Sequence, residues 1–258
     1  MRVALRVGFK WTKLLESLTQ PYSLSIRTII SLIALILLVP LYIFIGEHAL
    51  LGRSLHRPEL PLDLNIPLQP AWTLVYAVLY LFLILLPMFL LRQDEQIRRT
   101  AFAYLFVWLT AYFCFLTYPT VAPRPVAVIG EGFALWGLQF LYSADPPSNC
   151  FPSLHVAHSF VSALTCYRVH RGMGIAASAC AAVIGVSTLY TKQHYILDVL
   201  AGVVLGSVAY FLFLHDYPRE RIPELDRKLA PMLALSAIVI VGLVFLCYWV
   251  AYKMGITL

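Results

Sequence analysis

The sequence predicts an all-α fold, a polytopic membrane helical bundle, and three observations carry that expectation. Of the 258 residues, 60% are hydrophobic and only 12% are charged, a balance far from that of a water-soluble domain. Apolar runs of about 20 residues, enough to cross roughly 30 Å of hydrocarbon, recur along the chain. Lysine and arginine collect in every second connection between those runs, as they do when spanning segments sort their ends across a bilayer.

The first 26 residues have no continuous apolar core, so no cleavable signal peptide is expected. Arg2, Arg6, Lys10 and Lys13 share one helical face, and Val3, Val7, Trp11, Leu14 and Leu18 share another. This is the pattern of a helix lying on an anionic leaflet with Trp11 as its anchor; a basic tail that only sets topology is the plainer alternative. Seven spans follow: Thr28–Ile45, Ala71–Leu91, Ala101–Tyr118, His155–Val169, Met173–Thr191, Tyr195–His215 and Ala230–Tyr252. The fourth is the shortest and carries His155, His158, Ser159, Ser162 and Thr165, so its neighbours should shield it from lipid. Before it, the connection Val126–Asn149 holds Phe133, Leu135, Trp136, Leu138, Phe140 and Leu141. That segment is either a re-entrant or in-plane roof over a lipid entrance, or a loop dipping into headgroups.

With seven spans, one side holds fourteen of the 19 basic residues: those of the N-terminus, the Arg92–Arg99 loop, Arg168, Arg171 and the Arg219–Lys228 stretch. Arg53, Arg57, Arg124, Lys192 and Lys253 fall on the other. The positive-inside bias places the N-terminus in the cytoplasm and the opposite face outside it. The net charge of +6 therefore reflects topology, and a nucleic-acid partner is not expected. The five cysteines give no disulfide framework, because four lie inside spans and Cys150 has no companion in its connection. Gly172–Ser187 is rich in small residues, and Gly202 and Gly206 form a small-xxx-small pair suited to close helix packing.

Ionisable groups at membrane depth are costly and mark a functional site by default. Span parity brings the ends of spans three and five and the starts of four and six to one face. Arg124, His155, Lys192, His194 and Asp198 all lie there, which suits chemistry on a lipid headgroup. His194 and Asp198, four apart, are expected one turn from each other on a single helix face. The carboxylate can then hold one imidazole nitrogen as a donor and free the other to attack. His155 follows Pro152 and Ser153 in a first helical turn, where proline is favoured and free amides attract anions; protonated, it can supply a leaving group with its proton. Arg124, between Pro123 and Pro125, offers a planar guanidinium in a stiff loop, able to grip two phosphate oxygens. Lys192 is weighed evenly between a second phosphate contact and an interfacial lysine. His155 and His158 share a helix face but lack further ligands at metal-site spacing, so no metal is expected; His158 should pack inside the bundle. His48, His56, His170 and His215 read as interfacial or loop residues.

These residues resemble the three sequence blocks of the type-2 phosphatidic acid phosphatase superfamily, whose helical core is shared with the vanadium haloperoxidases. The resemblance runs from about Tyr118 to Gly202. Pro152-Ser153-Leu154-His155 is similar to the second block, with Leu154 in place of glycine. Ser187, His194 and Asp198 match the third, with Thr188 where arginine is usual; Arg124-Pro125 matches the first, with Thr117 in place of its lysine. Together with Phe-Pro-Ser-Leu-His and Ser-Thr-Leu-Tyr, these departures resemble the branch containing inositol phosphorylceramide synthases. The resemblance implies a six-helix catalytic core and a phosphohistidine on His194, with Asp198 orienting it. It implies His155 as acid and then base, Arg124 and Ser153 holding phosphate oxygens, Lys192 as a possible compensating charge, and no cofactor. On this reading residues 1–26 form the basic interfacial segment and 27–216 the catalytic transmembrane core. Residues 217–258 form a cytoplasmic loop and an additional C-terminal span.

Three function classes are compatible with the chain. The first is an enzyme cleaving a lipid phosphate, or transferring a phosphoryl or phosphoinositol-type headgroup to a lipid or sugar hydroxyl. The second is a lipid transporter, which leaves the one-face constellation unexplained. The third is an inactive scaffold, which would be expected to lack a histidine or the aspartate, and neither histidine nor the aspartate is missing. The partners implied are the bilayer, a lipid phosphate and a possible hydroxyl acceptor; the oligomeric state is left open.

Overall fold

The computed structural model describes residues 23–49 and 54–256, so the N-terminal interfacial helix expected over residues 1–26 lies almost wholly outside the described residues. Among those residues there are eight α-helices and no strand. They are α1 (Ile26–Ala49), α2 (Ala71–Leu90), α3 (Asp94–Thr117), α4 (Phe133–Ala144), α5 (Leu154–Val169), α6 (Arg171–Tyr190), α7 (Ile196–Phe213) and α8 (Glu224–Lys253). Six are long and apolar enough to cross a membrane, α4 and α5 being the exceptions. The protein is an integral membrane helical bundle.

The fourth expected span is the 16-residue α5, about 24 Å long at 1.5 Å per residue and shorter than the hydrocarbon layer. It does not need to span lipid alone, because it is the central pillar. Its Ala163, Cys166 and Val169 join a core with α2, α6 and α8, while its Leu154, Ala157 and Val161 join a second core with α1, α3 and α7. Ser159, Ser162 and Thr165 are buried on it. Ser159 and Ser162 donate to the carbonyls of His155 and Leu83, which is how hydroxyls are accommodated away from water. The expected shielding by neighbours is what the packing provides.

Small residues let the helices around this pillar approach closely. A Cβ on Gly202 would stand 2.7 Å from the Ser153 carbonyl oxygen, and one on Gly206 would stand 2.6 Å from that of Ala157. The α5–α7 seam therefore admits nothing larger than glycine at these two levels. Outward, Ile30, Ile33, Ile36 and Leu37 of α1 and Leu200, Val204 and Phe211 of α7 are exposed, as lipid-facing positions should be. At the end where α3 begins, Arg99 bonds Glu95 at 2.9 Å and Asp216 at 2.7 Å, and Arg98 bonds Asp94 at 3.0 Å. Charges thus cap the end of the bundle opposite the histidines.

The Val126–Asn149 connection contains α4, which buries Leu135 and Leu138 against α2 and the end of α8. Trp136 donates to the Ile256 carbonyl at 3.0 Å, and Phe140 meets Tyr248 with ring centroids 5.7 Å apart.

Candidate active site

The chain reverses direction between α6 and α7 through a C-terminal cap with left-handed Lys192 at φ 55°. The Gln193 amide reaches back to the Thr188 carbonyl at 2.9 Å and the Lys192 amide to that of Leu189 at 3.2 Å, the paired bonds of a Schellman stop. This turn delivers Gln193 and His194 to the interior, with 2% and 5% of their surfaces exposed.

One expectation is corrected here. His194 and Asp198 do not share a helix face, because α7 begins only at Ile196 and His194 precedes its N-cap, Tyr195. They meet through capping. Asp198, in the first turn, reaches back so that its Oδ2 accepts from the Tyr195 amide at 2.8 Å. The same oxygen lies 3.4 Å from His194 Nδ1. A carboxylate at a helix N-terminus is favoured by the helix dipole and the free amides, and here that preference also aims it at the imidazole.

His155 stands at the other helix start. Its Nδ1 lies 3.4 Å from His194 Nε2, and the edges of the Tyr80 and Tyr76 rings flank it at 5.0 and 5.5 Å between centroids. The proline expected at the first helical position is instead one residue outside the cap. Ser153 is the N-cap of α5 and its Oγ accepts from the Val156 amide at 3.4 Å, a role that serine fills better than proline. The Ser153 amide donates to the Asp198 carbonyl at 3.0 Å, tying the starts of α5 and α7 together. The three residues thus form a line: Asp198 at Nδ1 of His194, His155 at its Nε2.

Arg124 is placed at the same end, but its amino groups are occupied. Nη1 donates to the carbonyls of Tyr142 at 3.2 Å and Asp145 at 2.7 Å. Nη2 donates to the Pro146 carbonyl at 3.4 Å and to the Gln193 side chain, and lies 3.5 Å from the Asp145 carboxylate. The guanidinium stacks over Tyr142, 4.6 Å from the ring centroid. Burial pushes the Tyr142 hydroxyl up to about 12, against the opposing charge of Arg124, so it stays protonated and donates to the Thr191 carbonyl at 2.7 Å. Arg124 is a strap across the α4–α5 connection. Lys192 points its ammonium at the Ile66 carbonyl. Ser153 is wholly buried. His158 packs between Tyr104 and Trp108, at 5.1 and 5.2 Å between ring centroids.

Sequence reasoning did not single out Gln193, Tyr76, Tyr80 or Asp145. Gln193 was the most accessible of them, since it directly precedes His194, yet no periodicity marks it. Cys150, His194 and Asp198 also place ligand-capable atoms within 4.8 Å of one another. Burial, and then the Asp198 and Asp145 carboxylates, push the Cys150 thiol well above its usual range.

The fold and site define the class as a helical membrane bundle with two histidines and an aspartate gathered at one end. The chain belongs to the PAP2 superfamily, whose model matches residues 43–212, a stretch well beyond the Tyr118–Gly202 region in which the three blocks fall. It is similar to a PA-phosphatase related-family protein of Dictyostelium discoideum, 30% identical over 113 residues that cover 37% of this chain and 20% of the relative. It is also similar to an uncharacterized protein of Methanocaldococcus jannaschii, 31% identical over 103 residues that cover 40% of this chain and 41% of the relative. The chain thus matches less than half of either relative's length. No solved structure matches it significantly.

Proposed function

We propose that the protein is an integral-membrane lipid phosphatase that cleaves the phosphate of a lipid headgroup through a phosphohistidine. The observation that carries this is the placement of His194, with Nδ1 3.4 Å from Asp198 and Nε2 3.4 Å from His155, in a chain of the PAP2 superfamily. With Nδ1–H held toward the carboxylate, the lone pair is on Nε2, the nitrogen that faces His155. Nε2 attacks phosphorus and the P–O bond to the lipid breaks. The departing alkoxide takes a proton from protonated His155. Neutral His155 then removes a proton from water, the oxygen attacks phosphorus, the P–N bond breaks and phosphate leaves. The carboxylate stabilises the imidazolium that forms in the first step. Every group in this cycle belongs to the chain itself.

The count of basic residues supports an active site on the extracytoplasmic face, with the N-terminus in the cytoplasm. Transfer to a lipid or sugar hydroxyl is the alternative outcome of the second step, with the hydroxyl standing where water would. The decisive experiment offers the purified full chain radiolabelled phosphatidic acid and looks for acid-labile, base-stable label on the protein. Label on the wild type, formed more slowly by Asp198→Asn and His155→Ala and absent from His194→Ala, is the expected result. Wild-type turnover by His194→Ala rules the mechanism out.

A further inference from the structure

Gln193, the residue immediately before His194, holds an unanswered donor. Its side-chain oxygen accepts from Arg124 Nη2. A guanidinium can only donate, so that atom is the amide oxygen and the other is the amide nitrogen. That nitrogen, Nε2, is buried and has no acceptor in the protein, on a residue only 2% exposed. Buried donors are almost always paired in native structures, and the residue after this one is His194.

The surrounding side chains direct most of their donors elsewhere. Arg124 commits both amino groups to carbonyl oxygens, Asp145 and Gln193 itself, leaving its Nε unpartnered. Lys192 is directed to the Ile66 carbonyl. Thr188 turns its hydroxyl to the Gly185 carbonyl at 2.7 Å.

We propose that Gln193 is a phosphate-binding residue: Arg124 fixes the amide through its oxygen, and Nε2 donates to a non-bridging oxygen of the phosphoryl group that His194 attacks. The inference rests on the lipid-phosphatase reading and adds to it the source of a phosphate contact. It also gives Arg124 an indirect part, as the positioning residue for Gln193.

Gln193→Glu separates this role from a structural one. The carboxylate keeps an oxygen for Arg124 and replaces only the NH2, whereas Gln193→Met removes the donor without adding charge. The assay uses the purified full chain, a lipid phosphate as substrate and inorganic phosphate as competing probe. Both variants should raise the phosphate inhibition constant and KM about tenfold or more, the cost of one hydrogen bond to a charged group, while Gln193→Glu unfolds no earlier than wild type. A wild-type inhibition constant in either variant overturns the proposal. Should Gln193→Met fail to fold, the Gln193→Glu constant decides alone. A wild-type chain that neither cleaves lipid phosphate nor responds to phosphate sinks the phosphatase reading; an active wild type with indifferent Gln193 variants sinks only this inference.

Discussion

Replacing Gly202 by alanine tests whether the α5–α7 seam sets the geometry of the histidine pair. The added Cβ would meet the Ser153 carbonyl oxygen at 2.7 Å, Val156 Cβ at 3.0 Å and Ser153 Cβ at 3.3 Å. The first of these is a backbone atom and cannot swing aside. A carbon and an oxygen rest comfortably no closer than about 3.3 Å, so the two helices must part by roughly 0.6 Å at this level. The bond from the Ser153 amide to the Asp198 carbonyl, 3.0 Å long, lies beside the contact and would stretch toward about 3.6 Å, outside hydrogen-bond range. Overpacking of this kind costs about 1–3 kcal/mol. The larger effect falls on turnover, because His155 rides on α5 and Asp198 on α7. A misplacement near 1 Å can cost about a hundredfold, so a loss of about tenfold in kcat is expected for this smaller shift. Gly242, where an added methyl would meet nothing within 4 Å, is the control: Gly242→Ala should leave kcat unchanged. Turnover on a lipid phosphate and thermal unfolding of the purified variants give both readings. If Gly202→Ala matches wild type in both, the seam does not position the site.

Topology is open to labelling in intact cells. Val126 and Glu220 are both exposed and lie on opposite sides of the expected orientation. Val126→Cys should react with a membrane-impermeant thiol reagent and Glu220→Cys should not, against little background from Cys150, which is 2% exposed; the reverse pattern refutes the orientation. On the proposed mechanism, α4 should limit the water that reaches a phosphohistidine. Serine at Trp136 and Phe140 removes the bond to Ile256 and the ring contacts with Tyr248 and Tyr252. The ratio of released phosphate to phosphate transferred to an added alcohol should then rise severalfold while the phosphohistidine still forms. An unchanged ratio would show that α4 does not control water.

The parts of this protein that hydropathy governs were readable in advance. Spans such as Ala71–Leu91 fall within a residue or two of α2, and the small residues at 202 and 206 announced the close α5–α7 seam. The His155, His194 and Asp198 set was legible because charged and titratable groups are so rare among apolar runs. What escaped was decided by turns. Nothing in the spacing of His194 and Asp198 says that a cap ends one residue after the histidine, so that a carboxylate reaches back to it instead of lying beside it. Arg124 looked available because its flanking prolines are visible in sequence, whereas the carbonyls of Tyr142, Asp145 and Pro146 that take up its amino groups are brought there by the fold. Gln193 was hidden for the same reason: its oxygen is defined by Arg124, a residue far from it along the chain.

The order in which helices pack has a consequence for biogenesis. Neighbours in sequence are not always neighbours in space: α1 lies on α3, α3 on α7, and α2 on α6 and α8. As the chain emerges, α1 can find α3 early, but α2 has its main partners only after α6 and α8 are made. Its buried Thr73 and Tyr76 must wait in lipid or against a helper. Assembly dominated by distant pairings is slow and exposes intermediates, and the newly inserted α1–α3 is such an intermediate here. The histidine pair is completed late, since both His194 and α7 come after His155 and α5 in the chain.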